Sequence, residues 1–311
     1  MRATAPQDFR KLYAGVHIPD DAEDAEYGQA FFNVAVLLHV FADLGNPVKR
    51  ADNILDFGSG AGSMVYAFRK LGYRAFGTDT ISPSPDVEQI MEQEQLCGLG
   101  EKSLTTIPIG DYKIPFEHDY FDFVVSWDVM EHVQDHDKVL SEIQRVLKPC
   151  GWSLHFFPAR YRLLESHVHV PLGTLFQGYG YLYFWALMGL RTTSQKGLTA
   201  REVAERNHEF LTKETKYLTK KNLVQLVGNH FENTDFVEAN FWKHHGGKTG
   251  FIYKVLSSLA LAKLTPYIAY LVSPFAQRAL FFSNPRNKRN RQKHVEVRAE
   301  DLKWPAQLRT L

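Results

Sequence analysis

Two short segments of the chain hold the side chains best suited to moving a proton. The first, SWDVMEHV, spans residues 126–133 and contains Asp128, Glu131 and His132. If it forms one helical turn, Asp128 shares a face with Glu131 or His132. The second, RYRLLESHVHVPLG, spans residues 160–173. Each segment follows an expected strand, and ligands of open α/β sheets bind at the carboxyl ends of strands.

Glu165, His167 and His169 alternate in the second segment and would share one face of an extended chain. An imidazole titrates near neutral pH, so His167 or His169 could accept a proton from a hydroxyl group. His132 is a third candidate base. The alternative is that the loop histidines only hydrogen-bond to backbone. His155 lies inside an apolar run and is expected to be a buried histidine with polar partners.

A glycine-rich stretch, NILDFGSGAGSMVYAF, places Gly58, Gly60 and Gly62 between an apolar strand and a helix. The backbone N–H groups of such a turn face a ligand, and glycine lets the ligand approach closely. A plain tight turn is the alternative. The dinucleotide-binding pattern G-x-G-x-x-G would need its third glycine at position 63, which is Ser63. This departure disfavours a nicotinamide-dependent dehydrogenase.

The expected elements alternate between strands and helices up to residue 159. A first helix covers residues 27–45, and strands are expected at NILDFG, YRAFGTD, SLTTIPI, FDFVVSW and WSLHFFPA. This alternation predicts a parallel sheet covered by helices on both faces. The pattern breaks after residue 159, where a segment rich in aromatic residues begins. Further on, two strands are expected around Gly246 and Gly247 as a hairpin.

Four of these features together resemble class I S-adenosylmethionine-dependent methyltransferases. DFGSGAG resembles the first motif of that family, and Asp79 occupies its acidic position after the second strand. Asp111 lies in a stretch similar to the family's loop before strand four, and LKPCGW is similar to its turn before strand five. The resemblance covers residues 53–158. It implies a Rossmann-like α/β fold with seven strands in the order 3-2-1-4-5-7-6, strand seven being antiparallel and joined to strand six by the Gly246–Gly247 hairpin.

The resemblance also implies S-adenosylmethionine as cofactor, with Asp79 holding the ribose and Asp111 the adenine amino group. The cofactor-binding residues it implies are Asp56, Gly58, Ser59, Gly60, Gly62, Asp79, Thr80, Asp111, Tyr112, Ser126 and Asp128. Some ubiquinone-biosynthesis O-methyltransferases bind a divalent metal through a similar acidic segment ending in Glu-His. Asp128, Glu131 and His132 are therefore candidate metal ligands here. The alternative is that they only organise the loop.

Five segments of the chain are expected to have different roles. They are an N-terminal extension (1–26), a cofactor-binding core (27–159), an acceptor-binding insertion (160–217), a completion of the core carrying a helix and strands six and seven (218–256), and an apolar helical segment with a basic tail (257–311). Within the insertion, the aromatic residues of 174–190 are expected to line the acceptor pocket. A small satellite core is the alternative, and both can hold together.

The composition limits the other classes of function. The chain has 311 residues, 44% of them apolar, and a net charge of +1, so no overall field attracts nucleic acid. Its two cysteines cannot form a disulfide framework, which favours a reducing, cytoplasmic compartment. The apolar tract 251–282 is interrupted by charges and prolines, so no membrane span is expected. Residues 257–298 combine apolar and basic character and could touch the inner membrane peripherally, the alternative being a solvated tail.

These features predict a methyltransferase acting on a hydroxyl of a glycan, a lipid-linked acceptor or a small molecule, with His132, His167 or His169 as base. An RNA-modifying methyltransferase and a catalytically silent cofactor-binding scaffold are the alternatives.

Overall fold

The structure is a computed structural model that describes residues 25–98, 101–245, 255 and 264–286. In these ranges the chain forms seven strands, nine α-helices and short 3₁₀ turns. The strands are β1 (Asn53–Phe57), β2 (Arg74–Asp79), β3 (Leu104–Thr106), β4 (Phe121–Trp127), β5 (Leu147–Pro158), β6 (Phe231–Phe236) and β7 (Gln277–Pro285). The helices are α1 (Ala25–Asp43), α2 (Ser63–Lys70), α3 (Pro85–Gln93), α4 (His136–Val146), α5 (Tyr179–Leu187), α6 (Ala200–Lys213), α7 (Lys220–His230), α8 (Glu238–His244) and α9 (Thr265–Val272).

The strands make one sheet in the order β3-β2-β1-β4-β5-β7-β6, as the sequence predicts. Strands β1 to β5 run parallel to one another, whereas β7 runs antiparallel to both β5 and β6. Alternate side chains of the central strands enter two different cores. Ile54 and Phe123 belong to a core that α1, α2 and α8 cover, whereas Leu55 and Val124 belong to a second core under α4 and α7. Burial on both faces explains why these strands are apolar without alternation.

The position of β7 corrects one sequence prediction. The expected hairpin at Gly246 and Gly247 would place strand seven directly after that turn. Instead, residues Glu238–His244 form helix α8, because Phe241 and Trp242 both pack into the first core. The two glycines lie outside the described residues. Strand seven comes later, at Gln277–Pro285, inside the segment that the sequence analysis assigns to an apolar extension.

The start of β5 is a smaller correction. The sequence predicts a strand that begins at Trp152, but α4 ends at Val146 and β5 begins already at Leu147. The pairing of β5 with β4 shifts register between Phe121 and Phe123, which accommodates the Pro149 region. Among the described residues, no helix is both long enough and apolar enough to cross a bilayer.

The insertion forms its own small core beside the sheet. Helices α5 and α6 pack together, and the loop after β5 adds Val168 and Val170. The buried residues of this core are Val168, Val170, Leu182, Ala186, Val203, Ala204 and Leu211. The satellite core, which the sequence analysis gives as the alternative, is therefore present, and Val168 and Val170 anchor the loop of residues 160–173 in it.

Candidate functional site

The glycine loop forms the turn between β1 and α2. Gly58, Gly60 and Gly62 have φ angles of 78°, 52° and 93°, a conformation that disfavours side chains. A Cβ on Gly58 would lie 2.4 Å from Cγ2 of Val129, so the loop after β4 packs directly on this glycine. A Cβ on Gly60 would meet no atom within 4 Å. Gly60 therefore opens to a space where a ligand can approach the main chain.

Asp79 faces the same loop from the end of β2. Its Oδ2 accepts a hydrogen bond of 2.6 Å from the N–H of Gly60, and its Oδ1 accepts one of 2.9 Å from the N–H of Ile81. Asp56 lies buried on neighbouring β1. Burial, and then repulsion from Asp79, raise the pKa of Asp56 to about 7. Asp79, which is only partly buried, is positioned to accept hydrogen bonds from hydroxyl or amino groups of a ligand.

The remaining residues predicted to bind the cofactor lie at the same edge, with one exception. Ser59 and Thr80 belong to the turns after β1 and β2, and Asp111 is exposed on the loop after β3. The Tyr112 hydroxyl accepts a hydrogen bond from the N–H of Gln134, 3.1 Å away. Ser126 differs, because its hydroxyl is fully buried and lies 2.7 Å from Nδ1 of His155.

His155 is the buried histidine that the sequence predicts. Its two ring nitrogens contact the hydroxyl groups of Ser126 and Ser153, each at 2.7 Å. Burial lowers the pKa of His155 to about 3, so the ring is neutral. The side chain of Ser126 is thus used inside the core, and only its backbone faces the loop edge.

The loop after β4 brings Glu131 and His132 next to one another. Glu131 is 1% exposed, and neither carboxylate oxygen has a hydrogen-bond partner among the described residues. Burial, and then repulsion from Asp128, raise the pKa of Glu131 to about 8. Nδ1 of His132 lies 2.9 Å from the carbonyl oxygen of Glu214. A carbonyl only accepts, so Nδ1 of His132 carries the proton.

The insertion supplies the second histidine. Nδ1 of His167 lies 2.8 Å from Oε1 of Glu165, whose side chain is fully buried. Tyr217 donates to the same oxygen at 2.6 Å, and the N–H of Val168 donates to Oε2 at 2.6 Å. Although burial opposes ionisation, these hydrogen bonds lower the pKa of Glu165 to about 2. An ionised Glu165 requires the proton of His167 on Nδ1.

The two histidines meet through their other nitrogens. Nε2 of His132 and Nε2 of His167 are 3.2 Å apart. Since each ring already carries a proton on Nδ1, two neutral rings would direct the lone pairs of their Nε2 atoms at one another. One shared proton, or a cation, relieves that repulsion. Burial lowers the pKa of His132, and the charge of a protonated His167 lowers it further, although the carbonyl of Glu214 opposes both effects. Two protonated rings at this distance would repel one another, so the pair resists carrying two protons on the facing nitrogens.

The loop that carries His132 also packs on the glycine turn. Val129, which touches Gly58, accepts a hydrogen bond of 2.9 Å from the N–H of His132 through its carbonyl. The side chains of His132 and His167 are 35% and 27% exposed, so both rings reach solvent where the loop after β4 meets the insertion loop, a place we call the cleft. This brings two of the three predicted bases together. His169, by contrast, is exposed and makes no hydrogen bond among the described residues.

The predicted metal ligands are brought together only in part. Glu131, His132 and His167 offer donor atoms within 4.8 Å of one another, so His167 takes the place expected for Asp128. Asp128 has a positive φ of 53°, and its N–H donates to the carbonyl of Phe156 at 2.7 Å. Two imidazoles and a carboxylate are a suitable donor set for a divalent ion.

Residues that sequence reasoning missed tie the insertion to this loop. The carbonyl of Glu214 and the hydroxyl of Tyr217 hold the two histidine rings in place, as described above. The N–H of Lys216 donates to the carbonyl of Glu131 at 2.6 Å, and its ammonium group donates to the carbonyl of Gln134 at 2.6 Å. Three of these four contacts use backbone atoms, which no sequence pattern marks.

Known proteins similar to this chain are methyltransferases. A family model described as a methyltransferase domain matches residues 36–185. An uncharacterized methyltransferase of Schizosaccharomyces pombe is 28% identical over 213 residues, which are 60% of this chain and 72% of that protein. Norajmaline N-methyltransferase of Rauvolfia serpentina is 33% identical over 106 residues, 33% of this chain and 35% of the enzyme.

Two further similarities extend this group. A ubiquinone biosynthesis O-methyltransferase of Chelativorans sp. is 27% identical over 148 residues, 48% of this chain and 53% of the enzyme. The chain thus spans about a third of the Rauvolfia protein and about half of the Chelativorans protein. The solved geranyl diphosphate C-methyltransferase of Streptomyces coelicolor has a TM-score of 0.43 and 14% identity, covering 89% of this chain and 80% of that one.

The residues present fit the cofactor of this family. Gly60 leaves open space above its main chain, and the carboxylate of Asp79 faces that space from the next strand. The sheet order and the motif positions agree with the family, and the similar proteins are methyltransferases. Residues 36–185 match a methyltransferase domain, and together with the similar proteins and the residues of the loop edge they support a class I S-adenosylmethionine-dependent methyltransferase with S-adenosylmethionine as its cofactor.

Proposed function

We propose that the protein transfers a methyl group to a hydroxyl oxygen of a small-molecule, lipid-linked or glycan acceptor. The observation that carries this proposal is the pair of Nε2 atoms of His132 and His167, 3.2 Å apart at the cleft. A hydroxyl acceptor must lose its proton during transfer, and a paired imidazole base can take that proton near neutral pH.

The cofactor, when bound, supplies a methyl group on a sulfonium that is already activated for displacement. The protein therefore has to position the acceptor, exclude water and take up a proton. The His132–His167 pair accepts the proton at Nε2. Glu165, ionised and held by Tyr217, keeps His167 in the required tautomer and stabilises the positive charge that the pair gains.

The insertion would contribute the acceptor side of the cleft. Its loop carries His167, and its aromatic residues include Tyr179 and Tyr183, whose rings stack at 5.9 Å. Aromatic surfaces of this kind bind rings, sugars or apolar chains. They support an acceptor with an apolar or cyclic part, and they leave the three acceptor classes open.

A bound divalent ion is the second candidate state of this site, favoured by the buried, unpartnered Glu131. Glu131, His132 and His167 would hold the ion, which would lower the pKa of an acceptor hydroxyl. Two imidazole nitrogens bound to one tetrahedral ion at about 2.0–2.1 Å lie about 3.3 Å apart, close to the separation found here. Metal analysis of the purified protein, with and without a chelator, distinguishes the ion from the shared proton.

The decisive experiment uses S-adenosylmethionine with a labelled methyl group and a lysate separated into lipid, glycan, small-molecule and RNA fractions. We expect label in one of the first three, on an oxygen that resists mild alkaline hydrolysis as an ether does. Label in RNA that disappears at raised salt would instead favour an RNA-modifying enzyme. No S-adenosylhomocysteine from any fraction would favour a silent scaffold.

A further inference from the structure

Helix α5 exposes large apolar side chains on one face. Its sequence, YGYLYFWAL, is apolar all round, which is typical of a helix buried on all sides. Leu182 and Ala186 indeed face the insertion core. On the other side, Phe184 and Leu187 are 53% and 61% exposed, and the following Met188 is 67% exposed. Nothing in the described part of the chain covers this stripe.

The exposed stripe continues across neighbouring segments. Tyr181 of α5 donates to the carbonyl of Pro171, and Pro171 pairs with Leu164, which is also exposed. The N–H of Leu163 in turn contacts the carbonyl of Phe275 at 3.3 Å, and both side chains are exposed. We call this surface the insertion face; it consists of Leu163, Leu164, Phe184, Leu187, Met188 and Phe275. Contiguous exposed apolar surface of this kind marks an interaction site.

The charge around the insertion face indicates what kind of surface would bind there. Residues 159–213, which include helix α6 packed on α5, contain seven basic and four acidic side chains, and one of the acids, Glu165, is fully buried. The basic residues closest in sequence to the exposed apolar side chains are Arg160, Arg162, Arg191 and Lys196, all at least partly exposed. A positive rim opposes pairing with a second copy of the same face, because like charges would meet. It complements an anionic lipid surface, to which partly exposed aromatic and leucine side chains also bind.

We propose that the insertion face binds peripherally to an anionic membrane. Phe184, Leu187 and Met188 enter the boundary between headgroups and acyl chains, and the four basic side chains contact lipid phosphates. The loop that carries Leu163 and Leu164 of this face also carries His167, so the proposal brings the histidine pair close to the bilayer surface. This inference concerns a surface and does not depend on which atom of the acceptor is methylated.

Flotation of the full-length protein with vesicles tests the proposal. We expect binding to vesicles of phosphatidylcholine mixed with phosphatidylglycerol, and binding at least about tenfold weaker to phosphatidylcholine alone or at raised salt. The double variant Phe184→Glu/Leu187→Glu should bind the mixed vesicles at least about tenfold more weakly. Val224→Glu places the same charge on an exposed apolar residue of α7, away from the insertion face, and should leave binding unchanged.

Three results would overturn the proposal. The first is no flotation with either vesicle. The second is a dimer that the double variant disperses without any effect on vesicle binding. The third is vesicle binding that survives Phe184→Glu/Leu187→Glu but is lost in Lys288→Glu/Arg289→Glu, which would assign it to the basic tail. Calorimetry with S-adenosylmethionine shows that each variant is folded, because the glycine loop belongs to the sheet and not to the insertion.

Discussion

Nε2 of His132 lies 3.2 Å from Nε2 of His167, although 35 residues separate the two in sequence. His132 belongs to the loop after β4, whereas His167 belongs to the insertion after β5. The pair exists only when the insertion is packed against the core. Its integrity depends on the contacts of Glu214, Lys216 and Tyr217 with these two loops.

Replacing His167 tests its role as half of the base. His167→Ala should lower the turnover rate by about a hundredfold or more, because a positioned general base contributes that much. Affinity for S-adenosylmethionine should stay within about twofold, since the glycine loop is unchanged. The matched control is His169→Ala, which removes an exposed imidazole two residues away. Equal rates for the two variants, measured as S-adenosylhomocysteine formed with the identified acceptor, would contradict the assignment.

Tyr217 controls the acid stability of the protein through Glu165. The pKa of Glu165 is about 2 in the folded chain and near 4.5 when unfolded, so its contribution is complete above pH 4.5 and disappears as the pH falls towards 2. Tyr217→Phe removes one donor and should raise this pKa. We expect acid unfolding, followed by circular dichroism, to begin at a higher pH than in the wild type. Tyr161→Phe, at an exposed position, should show no shift.

Glu131 gives stability the opposite pH dependence to that of Glu165. Its pKa is about 8 when folded and near 4.5 when unfolded, so the unfolded state loses its proton first and stability falls as the pH rises between these values. Glu131→Gln removes the titration and should flatten that decline, by at most about 1.4 kcal/mol per pH unit. Urea unfolding at pH 5 and pH 8 measures the difference. Glu117→Gln, at an exposed site, is the control; an unchanged slope in Glu131→Gln would refute the assignment.

Substitutions in the glycine loop distinguish an effect on stability from an effect on cofactor binding. Gly60→Ala places a methyl group in open space, so its cost should be only the roughly 1–2 kcal/mol of the left-handed backbone. Affinity for S-adenosylmethionine should nevertheless fall at least tenfold in calorimetry, because the methyl group enters the space that the cofactor needs. Gly58→Ala should cost more stability, since its Cβ would collide with Val129. Full affinity in Gly60→Ala would count against this placement of the cofactor.

The cofactor loop was predictable because local patterns encode it, whereas the sheet order was predictable through the family resemblance. Gly58, Gly60 and Gly62 follow an apolar strand, and Asp79 ends the next one, so the parallel sheet places them at one edge. Strand β7 was not predictable in the same way. Its residues Gln277–Pro285 are buried on both faces and follow an apolar helix, so neither alternation nor a turn marks where the strand begins.

The residues around the His132–His167 pair were predictable one segment at a time, but their contacts with one another were not. The alternation of Glu165, His167 and His169 marked the segment, but the folded chain uses only the first two. His169 has a φ of 57°, which breaks the extended geometry that would have placed it beside His167. Tyr217 lies 52 residues from its partner Glu165, and Glu214 acts through a backbone carbonyl. Such contacts depend on tertiary packing, which a single sequence does not reveal.

Glu214, Lys216 and Tyr217 join the insertion to the sheet core. The part of the protein that binds the methyl donor and the part that binds the acceptor can therefore evolve separately. Residues 53–80 of the sheet core contain the glycine loop and Asp79, which face the proposed methyl donor. His167, one of the two histidines proposed to accept the proton, belongs instead to the insertion. A descendant of this protein could exchange the whole insertion and acquire a new acceptor while its binding site for S-adenosylmethionine stayed intact. Until the replacement recovered a partner for His132, such a descendant would bind the methyl donor yet lack a way to activate a hydroxyl.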